Sequence, residues 1–429
     1  MHVMQQNIIR YDILKEHSSC NICLTTGINT NIGVERKYCF MKIRKQQFTC
    51  DRGGLTIRGM QYFPENFEQK RRYPTVIASH GFLCNYTSME KWCRDFAKIG
   101  YVAFCFSFCG GGNMFEEEAL KSDGESTKMS VLTEVEDLIA VKKFACQYTY
   151  VDSENLILLG ESQGGFVSGL AAAKCGAEIK KLVMIFPALC IPDHARRGCL
   201  GGSKYQTEKV PEILDCGQTL LGRAFYEEAV QMEPYLQLSP YSGQVLILQG
   251  LEDDIVNYSY AIRAKENYKK GQCHLQLVRN MGHGFSESQY QSAFASVRQF
   301  LAGREEILTI RIVITRCESL MEGETRVDKL FFTGWCETKY FQGTILPSGC
   351  DVQKHFADGA VNIRAEYTLE GLDSCGERCK IHIVNQRGEM DWKPIATTDS
   401  AELAWLNSTN LTAVVEEGQG GPTIRIYRG

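Results

Sequence analysis

The stretch LILLGESQGGFVSGLAAAK at residues 156–174 contains the pattern that decides the fold of the first part of the chain. An apolar run ends at Gly160, a glycine-rich turn follows, and small and apolar residues then continue with helical spacing. This order predicts a buried strand, a tight turn and a helix, with Ser162 at the turn. G-x-S-x-G in that context is typical of a nucleophile elbow, whose glycines are needed because Cβ atoms there would collide with the strand and helix. Ser162 is therefore the candidate nucleophile, and the alternative is a glycine-rich turn with an idle serine.

Other short apolar runs resemble the one before Gly160. Nearly continuous runs are typical of strands buried on both faces of a parallel sheet. They are TVIAS (75–79), VAFCFS (102–107), LVMIF (182–186), VLILQ (245–249) and LQLV (275–278). Helical patterns lie between runs, for example at 130–145 and 287–301. The alternation predicts an α/β fold with a doubly wound, mostly parallel sheet, preceded by a hairpin that turns at Asp51-Arg52-Gly53-Gly54.

The chain has 429 residues, which is enough for more than one core. Residues 1–40 are polar and without sustained periodicity, and they predict a poorly structured extension or an artefact of an upstream start codon. The α/β pattern occupies 41–303, and residues 187–243 hold more chain than a crossover helix needs, so they predict an inserted lid. Residues 304–429 predict a small all-β barrel or sandwich from their β-rich runs, which are 307–314, 340–346, 361–369, 379–385, 411–417 and 423–428.

Several aromatic residues lie within the predicted lid. They can line an aromatic pocket or form the small core of the lid itself, and we favour the second interpretation for most of them. They are Tyr205, Phe225, Tyr226, Tyr235 and Tyr241.

The composition narrows the classes of partner. Lys and Arg total 47 against 51 Asp and Glu, a net charge of −4, so no basic surplus is present to bind nucleic acid. No apolar run reaches the roughly 18 residues of a membrane span, and the N-terminus lacks a secretion pattern, so we expect no membrane partner and a cytoplasmic protein. The 19 cysteines are scattered and many lie in apolar runs, which favours reduced thiols over disulfides or zinc. We expect no metal and no cofactor, and a homo-oligomer stays open.

A serine nucleophile needs a general base, which in this architecture comes from the loop after the last strand. The chain has eight histidines, so elimination is possible. His283 alone follows a late strand, in Asn280-Met281-Gly282-His283-Gly284-Phe285, and it is the candidate base. His80 ends a strand and is better suited to bracing its own loop. The others lie in the extension, the lid, the β-rich part or a strand.

The acid that orients the base should follow the strand before it, in the chain order Ser, Asp, His. The run VLILQ leads into Gly250-Leu251-Glu252-Asp253-Asp254. Asp253 and Asp254 are both candidates, and either can instead cap a turn or a helix.

Acyl transfer also needs N–H donors directed at the developing oxyanion. One candidate is the backbone N–H of Gln163, directly after the nucleophile. The other should come from the loop after TVIAS, where the N–H of Phe82 follows His80 and Gly81.

Five motifs resemble the α/β-hydrolase superfamily across about 41–303, and more narrowly the feruloyl or cinnamoyl esterase-type hydrolases of gut and rumen bacteria. They are SHGFLCNYTSMEKW (79–92), SDGEST (122–127), GESQGGF (160–166), QGLEDDIV (249–256) and MGHGFS (281–286). The resemblance implies that the acid lies three residues after the glycine of its loop, which is Asp253. It also implies a lid before that strand and hydrolysis of a small carboxylic ester.

Two competing functions remain. A peptidase or amidase of the prolyl-oligopeptidase-like type would use the same residue order, but a propeller domain is expected before such a domain, and its absence from this sequence argues against this alternative. A non-catalytic binding protein with this fold would have a damaged triad, whereas Ser162, Asp253 and His283 are all present. The C-terminal part is similar to an uncharacterised family of small lipocalin-like β-barrel proteins, through FQGTILPSGCDVQ (341–353) and DGAVNIRAEYTL (358–369). That resemblance implies an accessory role and no particular activity.

Overall fold

The computed structural model describes residues 43–111, 121–388, 391–418 and 420–429. The predicted extension at residues 1–40 lies outside the described residues. The described chain contains one mostly parallel sheet with helices, followed by an all-antiparallel sheet.

The first sheet has eight strands in the order β1-β2-β4-β3-β5-β6-β11-β12. The pairs β1–β2 and β2–β4 are antiparallel, and the other pairs are parallel. Successive residues of β3 pack in different hydrophobic clusters: Ile77 belongs to one cluster, and Val76 and Ala78 belong to the other. This explains why the strands are apolar without alternation. The strands are β1 Arg44–Arg52, β2 Leu55–Phe63, β3 Tyr73–Ser79, β4 Val102–Phe106, β5 Val151–Glu161, β6 Lys181–Ile185, β11 Gln244–Gly250 and β12 Cys273–Val278.

Helices cover both faces of this sheet. Two of them begin where the sequence predicts, because Ser130 and Ser286 each accept a hydrogen bond from the backbone three residues later in a capping box. The helices outside the insertion are α1 Glu90–Lys98, α2 Val131–Ala145, α3 Gln163–Cys175, α7 Ser259–Asn267 and α8 Glu287–Leu301. Short 3₁₀ helices are Tyr86–Met89, Ser126–Lys128, Gly176–Glu178 and, in the β-rich part, Ala404–Ser408.

The predicted hairpin at the start is confirmed. Arg52 pairs with Leu55, and the two residues between them, Gly53 and Gly54, have φ of 61° and 89°. Both values need the left-handed conformation that glycine adopts without strain.

Residues 187–243 form short elements between β6 and β11. Phe225, Tyr235 and Tyr241 are buried and Tyr205 and Tyr226 partly buried in the same hydrophobic cluster as strands and helices of the first sheet. The expectation that most of them form a separate small core of the insertion is therefore wrong, because the insertion packs directly on the main core. The elements are α4 Ile191–Arg196, β7 Cys199–Leu200, β8 Ser203–Lys204, β9 Ile213–Asp215, β10 Leu220–Gly222, α5 Arg223–Ala229 and α6 Pro234–Leu238.

The C-terminal sheet has nine antiparallel strands in the order β13-β21-β20-β19-β18-β17-β15-β14-β16, and β13 also pairs with β14. This extra pairing closes the sheet into the barrel expected from the sequence. A third cluster of apolar side chains fills it. The strands are β13 Glu305–Glu322, β14 Thr325–Glu337, β15 Phe341–Ile345, β16 Cys350–His355, β17 Val361–Asp373, β18 Arg378–Arg387, β19 Trp392–Thr398, β20 Leu411–Glu416 and β21 Thr423–Arg428.

The barrel packs against the β12 edge of the first sheet through polar contacts. The Arg425 guanidinium donates to Glu416 at 2.8 Å, to Glu306 at 2.9 Å and to the Leu277 carbonyl at 3.4 Å. Gln276 on β12 donates to Glu416. Arg425 and Glu416 are both buried, so each charge needs the other as a partner.

Candidate active site

Ser162 lies between β5 and α3 with φ 53° and ψ −119°, a conformation that non-glycine residues rarely adopt. The turn is tight enough to exclude side chains on both flanking glycines. A Cβ on Gly160 would lie 2.1 Å from the Gly164 oxygen, and one on Gly164 would lie 2.3 Å from the His80 oxygen. The glycines therefore permit the strained turn that presents the Ser162 hydroxyl.

The structure brings His283 to Ser162. His283 follows β12, and its Nε2 lies 2.8 Å from Ser162 Oγ. The Phe186 ring packs against the imidazole, with ring centroids 4.8 Å apart. His283 is thus within hydrogen-bond reach of the proton that a base must remove.

Of the two candidate acids, Asp253 contacts His283. Its Oδ2 lies 2.8 Å from His283 Nδ1, and its side chain is fully buried, whereas Asp254 is exposed. The other oxygen, Oδ1, accepts the Val256 N–H at 2.8 Å and the Ile255 N–H at 3.0 Å. Burial alone would raise the pKa of Asp253, but hydrogen bonds from His283 and these N–H groups lower it overall. The carboxylate therefore stays charged and holds the Nδ1 proton of His283.

Gln249, which was not predicted as a site residue, also donates to Asp253, at 3.0 Å. It is fully buried near the end of β11. The glutamine at the end of the apolar run VLILQ could have indicated this contact, because an amide in a buried strand needs a hydrogen-bond partner.

The two predicted oxyanion donors flank the nucleophile. Gln163 is the first residue of α3, so its N–H has no carbonyl one turn earlier. The Phe82 N–H donates to no described residue. A Cβ on Gly81, next to Phe82, would lie 3.2 Å from Ser162 Cβ and 3.8 Å from its Oγ, so this loop passes close to the nucleophile.

His80 braces the loop that carries Phe82, as expected. Its Nδ1 lies 2.8 Å from the Gly81 oxygen, and its Nε2 accepts the Phe108 N–H at 3.1 Å. Burial lowers the pKa of His80 to about 4, so the ring is neutral near pH 7. A neutral ring with a proton on Nδ1 satisfies both hydrogen bonds.

Glu161, directly before the nucleophile, was also missed as a site residue. Its Oε1 accepts the Trp92 indole N–H at 2.7 Å. No local pattern distinguishes Glu161 from any other residue at the variable position of the G-x-S-x-G motif.

Within the described residues, no group of three or more His, Cys, Asp or Glu side chains could hold a metal ion. None of the described helices is long and apolar enough to cross a membrane.

Comparison with protein-family models matches residues 93–303 to the prolyl oligopeptidase family, Peptidase_S9. Among curated proteins, prolyl endopeptidase FAP of Mus musculus is 29% identical over 138 residues, covering 30% of this chain and 18% of its own. Dipeptidyl peptidase 8 of Mus musculus is 25% identical over 257 residues, covering 53% of this chain and 28% of its own. The chain thus spans less than a third of the length of these relatives.

Among solved structures, ferulic acid-bound Est1E from Butyrivibrio proteoclasticus matches with a TM-score of 0.53 and 24% identity. The match covers 60% of this chain and 98% of the Est1E chain. This likeness shows the α/β-hydrolase fold. Together with the Ser162, His283 and Asp253 geometry, the matches support a serine hydrolase of the α/β-hydrolase type.

Proposed function

We propose that this chain is a serine esterase that hydrolyses small carboxylic esters, with hydroxycinnamoyl esters of the feruloyl, caffeoyl and chlorogenate type as its substrate class. The observation that carries the hydrolase part of the proposal is the chain of hydrogen-bond distances from Ser162 through His283 to Asp253, each 2.8 Å. The ester class rests on the sequence motifs and on the fold match to Est1E. Ser162, His283 and Asp253 are proposed as the catalytic triad.

The geometry supports a two-step acyl-enzyme reaction. Ser162 Oγ attacks the ester carbonyl carbon while its proton passes to His283 Nε2. The N–H groups of Phe82 and Gln163 donate to the negatively charged oxygen that forms. The imidazolium then gives its proton to the departing alcohol oxygen. In the second step His283 removes a proton from water, and the resulting hydroxide attacks the acyl carbon. The imidazolium then returns this proton to Ser162 Oγ as the bond between Oγ and the acyl carbon breaks and the acid leaves.

The cavity beside the Phe82 loop has a volume of about 10 Å³, so an aromatic acyl group would bind there only with movement of the loop or of the insertion at 187–243. A small pocket beside this loop is lined by His80, Gly81, Phe82, Leu83, Gly111, Met129, Glu134 and Thr219. Phe82 and Met129 supply apolar wall, and Glu134 supplies one buried polar group. The Est1E structure contains bound ferulic acid, which supports ferulic acid as the acyl group here.

The insertion at 187–243 is proposed as a lid over this pocket. Thr219, one of the lining residues, belongs to it. A Cβ on Gly201 would lie 3.0 Å from the Phe82 ring, so the insertion also touches the side chain beside the oxyanion donor. Insertions at this place in such folds commonly select substrates.

A peptidase or amidase is the second candidate. The match to the prolyl oligopeptidase family and the two peptidase relatives favour it. The triad geometry serves both reactions, so only substrates separate them. A binding protein without activity is disfavoured, because all three triad side chains are in hydrogen-bond contact.

A cytoplasmic location is part of the proposal. The 16 cysteines among the described residues are free thiols, as expected in a reducing compartment.

The test is a substrate panel with the full chain and Ser162→Ala as background. The panel contains p-nitrophenyl acetate, methyl ferulate, methyl caffeate and chlorogenate, with Ala-Pro-p-nitroanilide and Gly-Pro-p-nitroanilide as peptidase probes. We expect kcat/KM for the methyl cinnamates to exceed that for the anilides by at least about 100-fold. The reverse order would replace the esterase by the peptidase.

A further inference from the structure

Glu161 combines two features that the proposed reaction does not yet use. It is the last residue of β5, directly before Ser162, and its carboxylate is tied to Trp92 on α1 by the 2.7 Å hydrogen bond. We infer that Glu161 is a positioning residue for this reaction: its negative charge stabilises the His283 imidazolium that forms when Ser162 loses its proton. The inference rests on the proposed roles of Ser162 and His283, and not on the identity of the ester.

Three aromatic rings in successive contact, Trp92, Phe285 and Phe186, lead from Glu161 to His283. The Phe186 ring, which packs on His283, lies 5.4 Å from the Phe285 ring, and Phe285 lies 6.1 Å from Trp92. Trp92 is fully buried, so the indole that holds Glu161 is fixed in the core. Charges interact more strongly where such rings replace water.

The electrostatics of the site agree with this role. Burial raises the pKa of Glu161 to about 7, while the Trp92 hydrogen bond and the charge of His283 act in the opposite direction. The charge of Glu161 also raises the pKa of two further titratable groups. Cys84 comes from the Phe82 loop, and its thiol pKa is raised first by burial and then by Glu161. Tyr290 comes from α8. Its pKa is raised first by burial, then by Asp95, to which its hydroxyl donates, and to a smaller extent by Glu161.

Two carboxylates therefore act on His283 with different pH behaviour. Asp253 has a lowered pKa and is charged throughout the working range. Glu161 takes up its charge near neutral pH, so its support of the imidazolium grows as pH rises through about 7. Asp253 fixes the tautomer through a hydrogen bond, whereas Glu161 acts through its charge.

Glu161→Gln separates the charge from the packing. Glutamine keeps the size and the oxygen that accepts from Trp92, and it removes the negative charge. Glu161→Asp keeps the charge with a shorter reach and should retain most of the wild-type rate. The matched control is Glu287→Gln on α8, which removes one carboxylate whose side chain is 72% exposed.

The measurement is the pH dependence of the rate at which a fluorophosphonate labels Ser162 in the full chain. This probe needs the His283 base but no knowledge of the substrate. For Glu161→Gln we expect labelling about tenfold slower at pH 8. We also expect the acid limb of its labelling rate against pH to move to lower pH, because the imidazolium loses the stabilising negative charge of Glu161. Glu287→Gln should stay within about twofold of wild type, as exposed charges have small effects.

A second variant covers the case in which Glu161→Gln does not fold. Trp92→Phe keeps a ring but removes the N–H that favours the charged carboxylate. Labelling should then fall at pH 7 and recover by pH 9, which a packing defect would not do.

Three results would overturn the inference. The first is equal labelling rates and equal acid limbs in wild type and Glu161→Gln. The second is an equal loss of labelling rate in Glu161→Gln and Glu161→Asp, and the third is a loss in Trp92→Phe that persists at pH 9. If wild type is labelled but hydrolyses no ester, only the ester assignment fails. If wild-type Ser162 is not labelled, the nucleophile assignment fails and this inference with it.

Discussion

Asp253 and His283 are in direct contact: Oδ2 and Nδ1 are 2.8 Å apart, and the Asp253 side chain is fully buried. Its neighbour Asp254 is exposed and lies one residue further along the same loop. Two adjacent acids with the same chemistry therefore have different surroundings, which gives a matched pair of variants.

Asp253→Asn should lower kcat on p-nitrophenyl acetate by roughly 10⁴-fold, because the amide no longer holds the Nδ1 proton of His283 and favours the wrong tautomer. Asp254→Asn is the control and should stay within about threefold of wild type. Steady-state kinetics with the two variants checks this. A larger loss in the control would place the acid one residue later.

His80 predicts a pH dependence of stability. Burial lowers its pKa from 6.5 to about 4, so the unfolded chain binds a proton there before the folded chain does. The stabilisation is complete above about pH 6.5 and is lost as pH falls towards about 4, by on the order of 3 kcal/mol. When urea unfolding is measured at several pH values, the free energy of unfolding should fall less steeply with decreasing pH in His80→Gln than in wild type. Equal slopes would mean that the ring is protonated in the folded protein.

Gly164→Ala should destabilise the elbow by about 1–3 kcal/mol or more and abolish activity, because its Cβ would lie 2.3 Å from the His80 oxygen and 2.4 Å from the Ser79 oxygen. Gly282→Ala is the control, since its nearest contact would be 3.8 Å away. Thermal unfolding and ester turnover measure both effects. An active and stable Gly164→Ala protein would contradict the described turn.

Truncation after Gly303 tests whether the site depends on the barrel. All proposed triad and oxyanion residues precede residue 304, so a 41–303 fragment should keep kcat on p-nitrophenyl acetate within about threefold. Its Tm should fall, because Gln276 and the Leu277 carbonyl lose Glu416 and Arg425. A folded, monodisperse but inactive fragment would show that the barrel completes the site.

Much of the first domain could be predicted, because strands buried on both faces leave near-continuous apolar runs that bound the elbow at Ser162. His283 followed from elimination among eight histidines. Asp253 could be separated from Asp254 only through the family resemblance, since both follow the same strand. Glu161 was beyond prediction because its partner Trp92 lies 69 residues away.

Three barrel strands, β14, β16 and β19, were not predicted. β16 is polar, and β19 contains Pro394, which normally argues against a strand. Pro394 pairs with Asn385 on β18, while β19 meets β20 at a single pair, Trp392 with Ala413. The proline is therefore tolerated where the ladder is nearly absent. The buried contact of Arg425 with Glu416 was also missed, because no local pattern records a partner in a distant strand.

The most direct measurement is kcat/KM of Ser162→Ala beside wild type on methyl ferulate and p-nitrophenyl acetate, with circular dichroism to confirm an unchanged fold. The proposed mechanism makes Ser162 Oγ the attacking atom, so the variant should lose on the order of 10⁴–10⁶ of the wild-type rate on both esters. A folded Ser162→Ala protein that retains more than about a tenth of the wild-type rate would contradict the assignment of Ser162 as the nucleophile.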